Sequence, residues 1–297
     1  MLIKSDIFFS VVIPVFNGAE KISAALDSLG AQTFKDFEVI VVDDHSNDFD
    51  VLAEKVRESG LENIKLVRQP HRTNGGAARN VGIETAVGRY ICFLDADDYW
   101  FPEKLEVAVR RISMDGGKNL CLYHRLRCEY PDGKMFFYPP RGIKPGESVA
   151  QYLFVRSGLM QTSTLICSAA LLKSCRFPAE LERHQDWDFV LNLEQAGAAF
   201  VYLDETLGVW NVRPSRGRAK RDSYEKSARW VRERRDRFDK TAEMGFRINV
   251  LAYRLFQDRK FFSLFWLLAG SVLSRPLICL EVVALTVERI TLKISAK

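Results

Sequence analysis

Residues 90–98 read Tyr90-Ile91-Cys92-Phe93-Leu94-Asp95-Ala96-Asp97-Asp98. A short, largely apolar run of this kind suits a strand buried on both faces. The acidic cluster marks its carboxyl end. Two earlier stretches repeat the pattern: Phe8 to Val15 runs into Phe16-Asn17-Gly18, and Phe37 to Val42 ends in Asp43-Asp44. Helical patterns lie between them. Glu20 to Gly30 carries Ile22, Ala25, Leu26 and Leu29 at helical spacing and closes on Gly30. Val51 to Gly60 and Gly75 to Val87 also read as helices, with a short strand at Ile64 to Arg68. This alternation predicts right-handed βαβ units and a mostly parallel sheet in a Rossmann-like α/β domain.

Open α/β sheets bind ligands outside the carboxyl ends of their strands. The three polar clusters should therefore share one edge. Carboxylates gathered there repel one another unless a cation is bound, and oxygen donors suit Mg²⁺ or Mn²⁺. Such an ion commonly brings a diphosphate. The first strand–helix turn, Pro14 to Glu20, holds neither GxGxxG nor a P-loop. A metal plus a basic group must then hold the phosphates.

After Pro102 the pattern changes. Lys104 to Met114 reads as a helix, and Leu120 to Tyr138 as short strands around Pro131-Asp132-Gly133. Leu165 to Leu172 is apolar, Asp186 to Gly197 is an amphipathic helix, and Phe200 to Leu203 and Leu207 to Val212 read as late strands. Ser223 to Met244 is a highly charged helical stretch.

The 297 residues are 47% hydrophobic and 27% charged, which excludes disorder, collagen-like repeats and a disulfide scaffold. The six cysteines form no CxxC pair and read as buried thiols in a reducing cytosol. The start reads as a strand and not a signal peptide. The net charge of +5 is uneven: residues 211–260 hold 16 Lys/Arg against 7 Asp/Glu, and the remainder is slightly acidic. Tyr224, Trp230 and Phe238 lie among those charges, but Glu225, Glu233, Asp236 and Asp239 are interspersed. That mixture predicts a solvated helix and no nucleic-acid partner.

Phe261 to Val287 carries only Arg275 and Glu281 as charges. Its first apolar run ends at Ser274, short of the roughly 20 residues a bilayer span needs. Pro276 follows and should break or restart a helix. Arg254, Arg259, Lys260, Arg289 and Lys293 flank the stretch. Apolar helices with basic flanks suit an anionic inner-leaflet surface. Packing on the body, or on a second copy in a homodimer, is the other reading.

The stretch Val11 to Trp100 resembles the family 2 glycosyltransferases of the GT-A fold. Four blocks carry the resemblance: Val12 to Asn17, Phe37 to Asp48, Asn74 to Ile83 and Gly88 to Asp98. It implies one GT-A domain over residues 1–210, with nucleotide-sugar binding in about 1–103 and the acceptor part in about 104–210. Residues 211–297 form a basic, then apolar, helical extension. The resemblance further implies that Pro14, Val15, Phe16, Asn17, Asp43 and Asp44 hold base and ribose. Asp95 and Asp97 match the DXD motif, with Asp97 a metal ligand and Asp95 on ribose or on the metal through water. Arg79 faces the phosphates or donor sugar, or forms a structural ion pair. Asp98 is structural or aids sugar contact.

Glu182-Arg183-His184-Gln185-Asp186-Trp187 resembles the family's Glu-Asp motif, with Gln185 in place of Glu. Asp186 then aligns with the catalytic base. A helix N-terminus there, and one carboxylate fewer beside it, should keep Asp186 ionised. Arg213 is the candidate for neutralising the leaving group, or else a surface arginine. The four histidines read as non-ligands, with His184 placed to line the acceptor site.

The resemblance thus implies an inverting, metal-dependent transferase. It moves a sugar from a nucleotide-sugar donor, a UDP-sugar, to a glycan or lipid-linked hydroxyl. Surface polysaccharide or lipopolysaccharide synthesis, at the cytoplasmic face of the membrane, is the expected setting. A sugar nucleotidyltransferase and a non-catalytic scaffold are the alternatives.

Overall fold

The computed structural model describes residues 7–115, 117–213 and 223–295, and their side chains except those of 115, 223 and 287–295. The basic residues of 216–221 and the side chains of Arg289 and Lys293 lie outside the described residues. The chain divides into two compact units. One comprises Met1–Gly142 and Met160–Arg213, the other Ile143–Leu159 and Pro214–Lys297.

The first unit opens with β1 (Phe9–Val15), α1 (Ile22–Gly30), β2 (Phe37–Asp43), α2 (Phe49–Glu58), β3 (Ile64–Arg68), α3 (Gly75–Thr85) and β4 (Tyr90–Phe93). β1 pairs in parallel with β2, from Phe9↔Phe37 to Val15↔Asp43, and with β4, and β2 pairs in parallel with β3. Strand alternation divides the side chains between two layers. Val11, Ile13, Val39 and Val41 join Leu26, Leu29, Leu52 and Leu105 in the main core. Ile40 and Val42 face Ala78 of α3 on the other side. α3 starts at Asn74, whose side chain accepts from the Ala77 N–H at 3.0 Å. It lies close on β1 because residue 82 is glycine: a Cβ there would stand 2.2 Å from Val12 Cγ1.

The unit continues with β5 (Tyr99–Trp100), α4 (Lys104–Asp115), β6 (Leu120–Glu129) and β7 (Met135–Tyr138). α5 (Val149–Phe154) belongs to the second unit; β8 (Ile166–Ser168), α6 (Ala169–Leu172), α7 (Gln185–Gln195) and β9 (Ala199–Asn211) complete the first. The sheet order is β3-β2-β1-β4-β8-β6-β9-β5, with β7 on β6. The half that carries the polar loops is wholly parallel. Beyond β4 the pairing is mixed: β8 runs antiparallel to β4 and β6, β9 parallel to β6, and β5 antiparallel to β9. The two late strands expected from the sequence are one strand, whose irregular register opposite His124 and Arg125 explains its broken pattern.

The second unit is helical: α5, α8 (Ser223–Glu233), α9 (Lys240–Phe246), a π-helical stretch at Arg247–Ala252, α10 (Tyr253–Gln257), α11 (Phe261–Ser274) and α12 (Pro276–Ser295). Residues 143–159 depart here from the expected 1–210 domain. Phe154 of α5 meets Phe238 at 5.4 Å, Phe246 at 5.0 Å and Trp230 at 6.2 Å between ring centroids. Those rings, unremarkable among the charges of the sequence, are the core of this unit. The helix expected over 223–244 breaks at Arg235–Arg237 and restarts where Asp239 caps α9.

Candidate active site

The loops after β1, β2 and β4 and the start of α3 enclose a cleft of about 230 Å³. Pro14, Val15, Phe16, Asp44, Arg79, Asp95 and Asp97 line it, as does Lys21, which the sequence reading did not single out. Its ionisable lining is three carboxylates and two cations, one formal negative charge in excess. A diphosphate entering it needs a further cation.

Two of the sequence candidates build the rim without lining the cleft. Asn17 adopts a positive φ of 47° and ties the first two loops together. Its N–H donates to Ser46 Oγ at 2.9 Å, and its Oδ1 accepts from the Asn47 N–H at 2.9 Å. Asp43 is fully buried; it accepts from the Ser46 N–H and lies 3.5 Å from Arg68 Nε. Asp44 is held from behind, with Oδ1 accepting from Gln69 Nε2 and from the N–H and hydroxyl of Thr73 at 2.7–2.8 Å.

The acidic loop after β4 divides by environment. Asp95 is paired with Arg79 of α3 and accepts from Gln161 Nε2 at 3.3 Å. Asp97 is more open, with Lys21 Nζ 4.0 Å away. Asp98 is buried and accepts from Gln161 Nε2 at 2.8 Å, Ser163 Oγ at 2.6 Å and the Asn211 N–H at 3.1 Å. Burial first, and then the Asp95 charge, push its carboxyl up to about 8. Asn211 also donates to the Asp97 carbonyl at 2.5 Å. Behind this loop, buried Lys104 donates to the Ser163 carbonyl at 2.7 Å with its Nζ 3.5 Å from the Trp100 ring centre, and desolvation holds its pKa well below the ordinary value.

Gln161, Ser163, Lys104 and Asn211 are the supports that sequence reading missed. The polar run Gln161-Thr162-Ser163-Thr164 before an apolar strand was the available signal.

Asp186 lies in the first turn of α7, after His184 at the N-cap with φ 65°. Its carboxyl is pushed up, chiefly by burial, while the Trp187 N–H and then Arg79 pull the other way. The Trp187 N–H favours the ionised form, as expected of a helix N-terminus, and desolvation opposes it. Asp186 is not among the residues lining the cleft; its neighbour Gln185 lies against Gly75, which does line it, and Gly76 at the start of α3. Gln185 fills the space between α7 and α3: a Cβ on Gly76 would lie 3.1 Å from its Cδ. His184 stacks on Trp187 at 4.4 Å. Arg213 is exposed, two residues beyond β9, and is not among the residues lining the cleft.

Asp95 and Asp97 are oxygen donors of the kind a hard cation takes. Among the described residues no third His, Cys, Asp or Glu completes a protein cage. Mg²⁺ is usually held by one or two carboxylates with phosphates and water filling the rest, so the pair fits such an ion only together with a diphosphate.

Residues 10–161 match the sequence family described as glycosyl transferase family 2. This chain belongs to that family. The amylovoran biosynthesis glycosyltransferase AmsB of Erwinia amylovora is 38% identical to this family 2 glycosyltransferase over 213 residues, 70% of each chain. The UDP-Glc:alpha-D-GlcNAc-diphosphoundecaprenol beta-1,3-glucosyltransferase WfgD of Escherichia coli is 36% identical over 104 residues, 35% of this chain and 40% of WfgD. The crystal structure of S. aureus TarS 1-349 in complex with UDP-GlcNAc superimposes with a TM-score of 0.60 at 25% identity, covering 84% of this chain and 71% of that one. The fold of this family 2 glycosyltransferase is thus GT-A, with helices added at the C-terminus.

Proposed function

We propose that this glycosyltransferase moves a sugar, with inversion, from a UDP-sugar to a hydroxyl of a glycan or lipid-linked acceptor, in surface polysaccharide or lipopolysaccharide synthesis. The observation that carries it is the cleft at the strand ends, lined by Asp44, Arg79, Asp95 and Asp97, with the start of α7 that carries Asp186 packed through Gln185 on Gly75 and Gly76 of α3. TarS in its UDP-GlcNAc complex supports the donor class, and the GlcNAc-diphosphoundecaprenol acceptor of WfgD supports the acceptor class.

In this reading Pro14, Val15, Phe16 and Asp44 wall the nucleotide, while Asn17 and Asp43 shape the loops that do so. Arg79, fixed by Asp95, faces the phosphates. Asp97, with Asp95, holds Mg²⁺ or Mn²⁺, which when bound offsets charge on the departing diphosphate. Asp186 takes the acceptor proton as the acceptor oxygen bonds to the anomeric carbon and the bond to the diphosphate breaks. A desolvated carboxylate is a stronger base than a solvated one, which suits that step. Arg213, exposed two residues beyond β9, is the candidate for the leaving group.

The helical unit holds the enzyme at an anionic membrane surface on the cytoplasmic side. Phe261, Phe262, Phe265 and Trp266 of α11 and Leu277 and Leu280 of α12 are exposed. Among the described residues no helix is long and apolar enough to cross a membrane, which suits surface contact over spanning.

The test is transfer itself. The purified chain with UDP-sugars, Mn²⁺ and a lipid-diphosphate sugar acceptor should release UDP and give a product of inverted anomeric configuration. Asp186→Asn should lower turnover by about 10²–10⁴-fold while UDP affinity stays near that of the unaltered chain. Lost UDP binding in that variant would show that the role of Asp186 is misassigned.

A further inference from the structure

The two carboxylates of Asp95-Ala96-Asp97 each have a basic partner, but of different kinds. Arg79 and Asp95 are a committed pair: their side chains are only 12% and 26% exposed, and the Asp95 backbone N–H is anchored on Ser163 Oγ at 3.0 Å. Lys21 and Asp97 are a loose pair. Their side chains are 43% and 37% exposed and the charges stand 4.0 Å apart. Lys21 sits at the N-cap of α1, on a backbone fixed by its N–H donating to the Gly18 carbonyl at 2.9 Å. Its four-carbon stem lets the ammonium group move while the backbone stays in place.

We propose that Lys21 is a diphosphate-binding residue that pairs with Asp97 and turns to the donor phosphates when a divalent cation takes Asp97. This rests on the donor-cleft reading above and names a residue that reading did not include. The physical basis is competition. A lysine 4.0 Å from a carboxylate and a divalent cation on that carboxylate repel each other, so each weakens the other's hold on Asp97. The cleft carries one excess negative charge before a ligand arrives. Once a divalent ion sits on Asp97, the freed ammonium group can pair with a phosphate oxygen lining the same cleft. The exchange keeps the site from taking a metal firmly until a diphosphate accompanies it.

The experiment uses the full chain, its Lys21→Gln and Lys21→Arg variants, and two probes. Mn²⁺ alone is titrated by electron paramagnetic resonance, and UDP is titrated calorimetrically in excess EDTA and again with Mn²⁺. Lys21→Gln should bind Mn²⁺ alone about threefold to fivefold more tightly, the scale of a half-exposed ion pair. With Mn²⁺ present it should bind UDP about tenfold more weakly, the scale of one charge-assisted contact, and in EDTA, where Lys21 stays on Asp97, the loss should be smaller. Lys21→Arg should retain UDP binding. Mn²⁺ and UDP affinities unchanged in Lys21→Gln, while the unaltered chain binds UDP with Mn²⁺, overturn the role of Lys21 alone. No UDP binding by the unaltered chain, even with Mn²⁺, overturns the donor-cleft reading and this proposal with it.

Discussion

The Ser163 hydroxyl donates to the buried Asp98 carboxyl at 2.6 Å while accepting from the Asp95 backbone N–H at 3.0 Å. One oxygen thus ties both ends of the acidic loop to a segment 65 residues away. Ser163→Ala leaves the partly buried Asp95 N–H without its acceptor and the Asp98 carboxyl short of a donor. Unfolding in denaturant should show a loss of about 1–3 kcal/mol. If the loop serves donor binding, steady-state kinetics should show the KM for the donor rising about tenfold with a smaller change in kcat. A variant that loses stability with donor KM unchanged would reduce Ser163 to a structural residue.

Asp98 gives the fold a pH dependence with a definite sign. Burial, then the Asp95 charge, hold its carboxyl up to about 8, against an ordinary value of 3.8. Between those pH values the folded chain keeps a proton that the unfolded chain has released. Stability from this group is complete below about 4 and is lost as pH rises through about 8. Thermal melts from pH 5 to pH 9 should show Tm falling. In Asp98→Asn, which cannot ionise, that slope should flatten; an equally steep slope in the variant would assign it to other groups.

Asp186 works in the other direction on activity. Burial raises its carboxyl, and only the ionised form accepts a proton. The acidic limb of kcat/KM against pH should therefore lie above the ordinary carboxylate range, with activity growing as pH rises through it. Arg79 pulls the same group down, so Arg79→Met should displace that limb further up and also weaken donor binding. A limb that stays in place in Arg79→Met would separate the two residues.

The parallel half of the sheet was legible because its strands are apolar on both faces and end in polar residues. β1, β2 and β4 begin or end within a residue of the expected bounds. The cleft was legible for the same reason, since a parallel sheet delivers all three loops to one edge. What the sequence concealed depends on contacts between distant segments. Gln161 and Ser163 meet Asp98 across more than sixty residues, and α5 joins helices about 90 residues further on. The desolvation at Asp186 was not visible in the sequence because it comes from packing around the first turn of α7 and not from local helix geometry.

The glycine at position 82 sets how closely α3, and with it Arg79, approaches the sheet. A Cβ there would stand 2.2 Å from Val12 Cγ1 and 2.9 Å from its Cγ2, and Val12 is fully buried in β1. Gly82→Ala must push α3 outward or force Val12 from its rotamer. The cost expected of such overpacking is about 1–3 kcal/mol in denaturant unfolding. Gly82→Ala/Val12→Ala should recover part of it, because the second change removes the clashing methyls. A single variant as stable as the unaltered chain would mean that α3 can shift freely, and the position of Arg79 would then need another explanation.

Membrane contact is best tested without deleting the helices. Cys279 and Val282 of α12 are buried with Met244 of α9 and Val155, so removing residues 261–297 would strip the core of their own unit. Phe262 and Trp266 are different: they are 77% and 58% exposed, one turn apart on α11. Aspartate at both positions keeps the fold and puts charge where an anionic surface would lie. Phe262→Asp/Trp266→Asp should leave Tm within about 1 °C, because exposed sites away from packing contribute little to stability. It should abolish sedimentation with vesicles containing phosphatidylglycerol while leaving transfer to a soluble acceptor intact. If the unaltered chain sediments and the variant does so equally, the apolar face is not the contact. If the unaltered chain is instead a dimer that this variant turns into a monomer, the face is covered by a second copy.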